Sequence, residues 1–106
     1  MTEWLERLLH EFREGLDEIY GPRLRGAYLY GSYARGEADG ESDVDILVVL
    51  QDFEQYGREV ERTGQLGADL SLKYGVSISQ VFVRERDWLE GEKVFLVNVR
   101  EEAIPA

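Results

Sequence analysis

The sequence predicts an α+β, α/β-layered fold, a small mixed β-sheet flanked by helices. Apolar residues recur at helical spacing in two long stretches, residues 3–20 and 54–74. Three short segments rich in β-branched and aromatic residues lie between and after them. The order helix, strand, strand, helix, strand suits a layered domain with one sheet. The 106 residues are the length of one domain, so residues 1–106 are expected to form a single unit.

In the first stretch Leu5, Leu9, Phe12, Leu16 and Ile19 recur at helical spacing, with Leu8 beside them and mostly Glu and Arg between. This is an amphipathic helix with one buried stripe. Thr2 is placed to cap its start and Gly21-Pro22 to end it. Arg25 to Tyr30 reads as a short strand broken by Gly31-Ser32, and Ser32 is placed to cap a helical turn through Tyr33-Ala34-Arg35. Residues 36–42 form a polar, glycine-bearing loop. Val44 to Leu50 is the most strand-like segment, and its nearly unbroken apolar run predicts cover on both faces. A second helix is expected over Glu54 to Tyr74, with Tyr56, Val60, Thr63, Gly67, Leu70 and Tyr74 on one stripe and Gly75 closing it. Gly57, Gly64 and Gly67 weaken that helix but suit close packing on a sheet. Val76 to Val83 alternates as a third strand. Arg84-Glu85-Arg86-Asp87 reads as a solvated turn, and Glu92 to Glu102 fits a strand or a short helix equally.

Composition excludes several functions. There is no cysteine, hence no disulfide framework and no thiolate zinc site, and the single histidine excludes a His-rich metal site. The net charge of −10 repels phosphate backbones, so direct nucleic-acid binding is not expected. The N-terminus lacks the basic start and apolar core of a signal peptide, and no apolar run approaches the ~20 residues of a membrane helix. These features predict a cytoplasmic protein.

The chemistry concentrates in Tyr30-Gly31-Ser32-Tyr33-Ala34-Arg35-Gly36 and Ser42-Asp43-Val44-Asp45. Asp43 and Asp45 are two apart at a strand start, which puts both carboxylates on one face with Cα atoms roughly 6.6 Å apart. Their repulsion is relieved by a hard divalent cation, and Mg²⁺ suits one or two carboxylates plus substrate phosphates. Gly31 lets the backbone approach a ligand closely. Backbone N–H groups at the following turn suit phosphate, the Ser32 hydroxyl adds a donor, and Arg35 is within reach of a phosphate oxygen. Separately, each feature has a plainer reading. An Asp-x-Asp is often a solvated loop edge, Gly-Ser is common in turns, and Arg35 suits a surface ion pair with Glu37 or Asp39. Together, at this spacing, they match by chance on the order of one time in a thousand. His10 reads as a surface residue. Trp4, Trp88 and Phe95 read as core or rim residues before partner anchors, and Tyr28 and Tyr30 as packing residues. Tyr33 is a candidate to stack on a base.

Gly31-Ser32, ten residues, then Asp43-x-Asp45 resembles the signature of the DNA polymerase beta nucleotidyltransferase superfamily. The run Gly31 to Ala38 and the chain length resemble its minimal nucleotidyltransferases. The resemblance is sharp from Ala27 to Leu50 and loose elsewhere, including Asn98-Val99-Arg100-Glu101. It implies the polymerase-beta-type fold, with Asp43 and Asp45 as catalytic, metal-binding carboxylates and Gly31 and Ser32 contacting a nucleotide triphosphate. The implied reaction transfers a nucleoside monophosphate, AMP from ATP, to a hydroxyl in the presence of Mg²⁺. Proteins similar to this one pair with a helical HEPN-domain toxin as its antitoxin, and some attach AMP to a tyrosine of that partner, so a hetero-oligomer is implied. The superfamily's third carboxylate is expected on Val76 to Val83, where Ser77, Ser79 and Gln80 stand instead. That departure weighs on catalysis more than on nucleotide binding. It leaves a second reading, a binding module that neutralises its partner by contact, separated from the first by whether Asp69 or Glu85 reaches the Asp43/Asp45 face. A transferase for small-molecule hydroxyls is a weaker third.

Overall fold

The computed structural model describes residues 1–106. Its elements are α1 (Glu3–Tyr20), a 3₁₀ turn (Gly21–Arg23), β1 (Leu24–Tyr30), α2 (Ser32–Arg35), β2 (Val44–Leu50), α3 (Tyr56–Tyr74), β3 (Ile78–Arg84), α4 (Glu85–Glu90), α5 (Val94–Glu102) and β4 (Ile104–Pro105). The strands form one mixed sheet in the order β3-β2-β1-β4. β2 pairs antiparallel with β1 and parallel with β3, and α3 makes the crossover that a parallel pair needs.

One face of the sheet packs under α1 and α3. Leu5, Leu8, Leu9, Phe12 and Leu16 of α1 meet Ala27 and Leu29 of β1 and Val44, Ile46, Val48 and Leu50 of β2, all buried. The other face carries a smaller cluster of Leu47, Val49 and Val99, covered by α4 and α5 with Tyr28, Tyr30 and Trp88 around it. β2 is therefore buried on both sides, as its apolar run predicts.

Several local expectations are corrected. The α1 stripe ends on buried Tyr20, not on Ile19, which is 39% exposed, because a step of four from Leu16 keeps to the buried side. In α3 the buried positions are Glu59, Thr63, Gly67 and Leu70, while Val60 is exposed and Tyr56, half exposed, turns to the β3 edge, where its hydroxyl accepts the Phe82 N–H at 3.2 Å. The polar members are tolerated inside because they are bonded. The Tyr20 hydroxyl donates to Glu59 at 2.9 Å and the Thr63 hydroxyl to the Glu59 carbonyl at 2.9 Å. Of the three α3 glycines only Gly67 lies against a neighbour, the Gln80 side chain. Thr2 makes no side-chain cap. β3 begins at Ile78, since Ser71 O still accepts the Val76 N–H at the α3 terminus. Arg84 to Asp87 is not a turn: β3 runs to Arg84 and α4 begins at Glu85, with the Arg84 guanidinium held by Asp52 and the Phe53 carbonyl. The open segment Glu92 to Glu102 is helical from Val94 onward. Arg100 fixes it by donating to the carbonyls of Trp88 and Gly91 at 2.7 and 2.6 Å. The short β4 has no counterpart among the strands the sequence predicts. It returns the chain to β1, pairing Ile104 with Leu29.

Candidate active site

The motif residues meet where β1 ends and β2 begins. Asp45 is paired in register with Tyr30 of β1 and with Ser79 of β3. Alternation along β2 puts it on the face of Leu47 and Val49, and Asp43, one step earlier, on the same side. Asp43 is exposed and Asp45 half-buried. Burial pushes the Asp45 carboxyl up from the ordinary range; the Asp43 charge adds to the rise and Arg35 opposes it. Tyr30 alongside is pushed up to about 12 by burial and then by Asp45.

Gly31 adopts φ 77°, ψ −158°, a conformation open essentially to glycine alone. A Cβ there would collide with the Asp45 Oδ2. The glycine thus lets the β1–α2 turn close onto the carboxylate. Gly31, not Ser32, is the cap of α2: its carbonyl accepts the N–H groups of Ala34 and Arg35 at 3.0 and 3.1 Å. The Ser32 and Tyr33 N–H groups have no acceptor inside the helix. As the first residue of α2 rather than its cap, Ser32 is not committed to the capping role its sequence position suggests.

Arg35 forms the ion pair with Glu37 that composition allows, Nε to Oε1 at 2.6 Å, and a second with Glu102 of α5, Nη1 to Oε2 at 2.9 Å. Glu102 is not among the site residues the sequence predicts. Its only local signal is an acid at the end of an ambiguous segment, and the turn into β4 brings it to Arg35. Tyr33 packs edge-on against Trp4 at 5.7 Å, so its ring is engaged rather than free. Tyr28 stacks on Trp88 and Tyr30 meets Phe95 edge-on, in keeping with packing roles. His10 is at the surface, paired with Glu14.

Neither acid proposed to complete the set arrives. Asp69 is bonded to Gln65 on α3, a helix that covers the opposite face of the sheet. Glu85 lies at the far end of β3, beside Arg25. No group of three His, Cys, Asp or Glu is close enough together to hold a metal ion. The donor set is therefore two carboxylates, one of them half-buried with its carboxyl raised by that burial, with a glycine cradle against it. That set fits a hard cation whose remaining ligands are phosphate and water, the coordination typical of Mg²⁺ with a nucleotide.

A family model described as the nucleotidyltransferase domain matches residues 9–104. The chain belongs to the nucleotidyltransferase family. This nucleotidyltransferase-family chain is 38% identical over 101 residues to a candidate protein adenylyltransferase of Methanocaldococcus jannaschii, covering 92% of each. It is 38% identical over 71 residues to the protein adenylyltransferase MntA of Thermococcus cleftensis, covering 67% of this chain and 70% of that one. Among solved structures it resembles a toxin–antitoxin crystallised with AMP-PNP, with TM-score 0.66 at 22% identity over 92% of this chain and 70% of that one. A mutant of the MntA-HpeT toxin–antitoxin matches with TM-score 0.64 at 18% identity over the same shares. At these identities the structural matches establish the fold, a nucleotidyltransferase-type mixed sheet with flanking helices.

Proposed function

We propose that this protein is a Mg²⁺-dependent protein adenylyltransferase that moves AMP from ATP to a hydroxyl of a partner protein, a tyrosine of a HEPN-domain toxin, and serves as the cytoplasmic antitoxin of that pair. The observation that carries the reading is the closure of Gly31 onto Asp45, two residues from Asp43, an arrangement that suits a phosphate-binding turn beside a carboxylate pair. The kinship with protein adenylyltransferases and the fold shared with toxin–antitoxin structures support the choice of acceptor.

In this reading Asp43 and Asp45 hold the cation. When bound, it supplies charge neutralisation for the triphosphate. The Ser32 and Tyr33 N–H groups, the Ser32 hydroxyl and Arg35 bind phosphate oxygens and orient the chain of phosphates for in-line attack. The acceptor oxygen bonds to the α-phosphorus, the bridge to the β-phosphorus breaks, and pyrophosphate leaves with the bonding pair. The acceptor's proton passes to water. Ser79, paired with Asp45, stands where a third acid would take that proton. The same observation favours a second reading, an antitoxin that binds its partner and transfers slowly or not at all.

The test is incubation with labelled ATP, Mg²⁺ and the product of the neighbouring gene, followed by mass analysis. A gain of one or more AMP on the partner, lost in Asp43→Asn, is the expected result. A tight complex with no mass gain would establish the binding reading instead.

A further inference from the structure

Arg35 is held from two sides by different parts of the chain. Glu37, two residues on, takes Nε at 2.6 Å, and Glu102, 67 residues on, takes Nη1 at 2.9 Å. The two contacts use two of the five guanidinium N–H groups and leave three free. The Arg35 side chain is 48% exposed, so those donors are open to a ligand, whereas the Glu102 side chain is only 23% exposed. Glu102 is also fixed by its backbone. It ends α5, and two residues later Ile104 is bonded into the sheet against Leu29. A freely solvated ion pair would have neither this burial nor this backbone anchor. Glu37 moves with the loop that follows α2, so the contact with Glu102 is the one that ties the Arg35 side chain to the far end of the chain.

We infer that Glu102 is a positioning residue of the nucleotide site, one that holds the Arg35 guanidinium at the phosphate side of the Asp43/Asp45 face. The inference rests on the nucleotide-binding reading above and adds to it a residue from the last helix. That helix thereby becomes part of the site, although none of Gly31, Ser32, Arg35, Asp43 and Asp45 lies on it. The ligand class is a nucleoside triphosphate, whose β- and γ-oxygens offer the planar guanidinium a bidentate partner.

The test is a double-mutant cycle on the affinity for Mg²⁺·AMP-PNP, measured by calorimetry with Arg35→Ala, Glu102→Gln and both together. Glu102→Gln is expected to weaken binding about fivefold, the scale of one partly exposed ion pair. In the Arg35→Ala background Glu102→Gln should change little, because its action passes through Arg35. Glu102→Asp should recover part of the loss. Unchanged or tighter binding in Glu102→Gln, or a full fivefold loss that persists without Arg35, would overturn the inference while leaving the nucleotide site standing. An Arg35→Ala variant with wild-type affinity would instead remove Arg35 from the site. Loss of all binding in Asp43→Asn tests the parent reading separately. Circular dichroism of each variant checks that α5 remains folded.

Discussion

The two faces of the sheet are built on different terms. Under α1 and α3 the core cluster takes in 16 buried residues, closed along its length by two helices of 18 and 19 residues. On the opposite face three residues are fully buried, and the covering helices have 6 and 9 residues. The thick face takes in Val44 and the packing of Tyr33 and Ala34, but none of Asp43, Asp45 and Arg35. The thin face carries Asp43, Asp45 and the contacts of Arg35. Division of labour of this kind lets one side of a strand be optimised for packing while the other tolerates crowded charge and a strained glycine.

Substitution of one residue on each face is the strongest way to break that contrast. Phe12→Ala on the thick face should cost about 3–5 kcal/mol, a large part of the stability of a domain this size. Val99→Ala on the thin face should cost about 1.5 kcal/mol. Urea midpoints measure both, and equal losses would mean that the thin face is a second full core. Gly31→Ala comes next. It places a non-glycine residue at φ 77° against Asp45, which should cost about 1–3 kcal/mol and displace the carboxylate, so Mg²⁺-nucleotide affinity should fall further than the urea midpoint implies. The smallest effect has the opposite sign. The Asp45 carboxyl is raised in the folded state, so above that raised range the fold bears a penalty for its charge. Asp45→Asn should therefore give a small gain in thermal midpoint at neutral pH without ligand. The gain should fade as the pH falls through the raised range and be gone below the ordinary aspartate range, where Asp45 is neutral in both states. A loss of midpoint at neutral pH would show that Asp45 stabilises the fold.

Legibility in the sequence followed the same division. β2 and the Gly31, Ser32, Asp43, Asp45 spacing were readable because a strand's period of two and a turn glycine are local properties. α1 was readable for the same reason over most of its length. What failed to show was set by contacts distant in sequence. Glu59 looks like a surface acid until Tyr20, 39 residues away, supplies its partner. Val60 looks like a core residue until α3 is rotated to present Glu59 and Thr63. β4 has two residues, too few for any period. Glu102 is one acid among many in an acidic chain, and only the return of β4 to β1 brings it to Arg35.

That return has a consequence in time as well as in space. The β4 ladder consists of Ile104 and Pro105 against Leu29 and Tyr28, followed by the Ala106 N–H to the Ala27 carbonyl at 2.8 Å. So short a ladder opens by local unfolding at far lower free energy than the buried centre of β2. Each opening loosens the anchor of α5 and, with it, the grip of Glu102 on Arg35, while Asp43 and Asp45 stay where the sheet puts them. Amide exchange should therefore divide the site into a slow half on β2 and a fast half at Ile104 and Ala106.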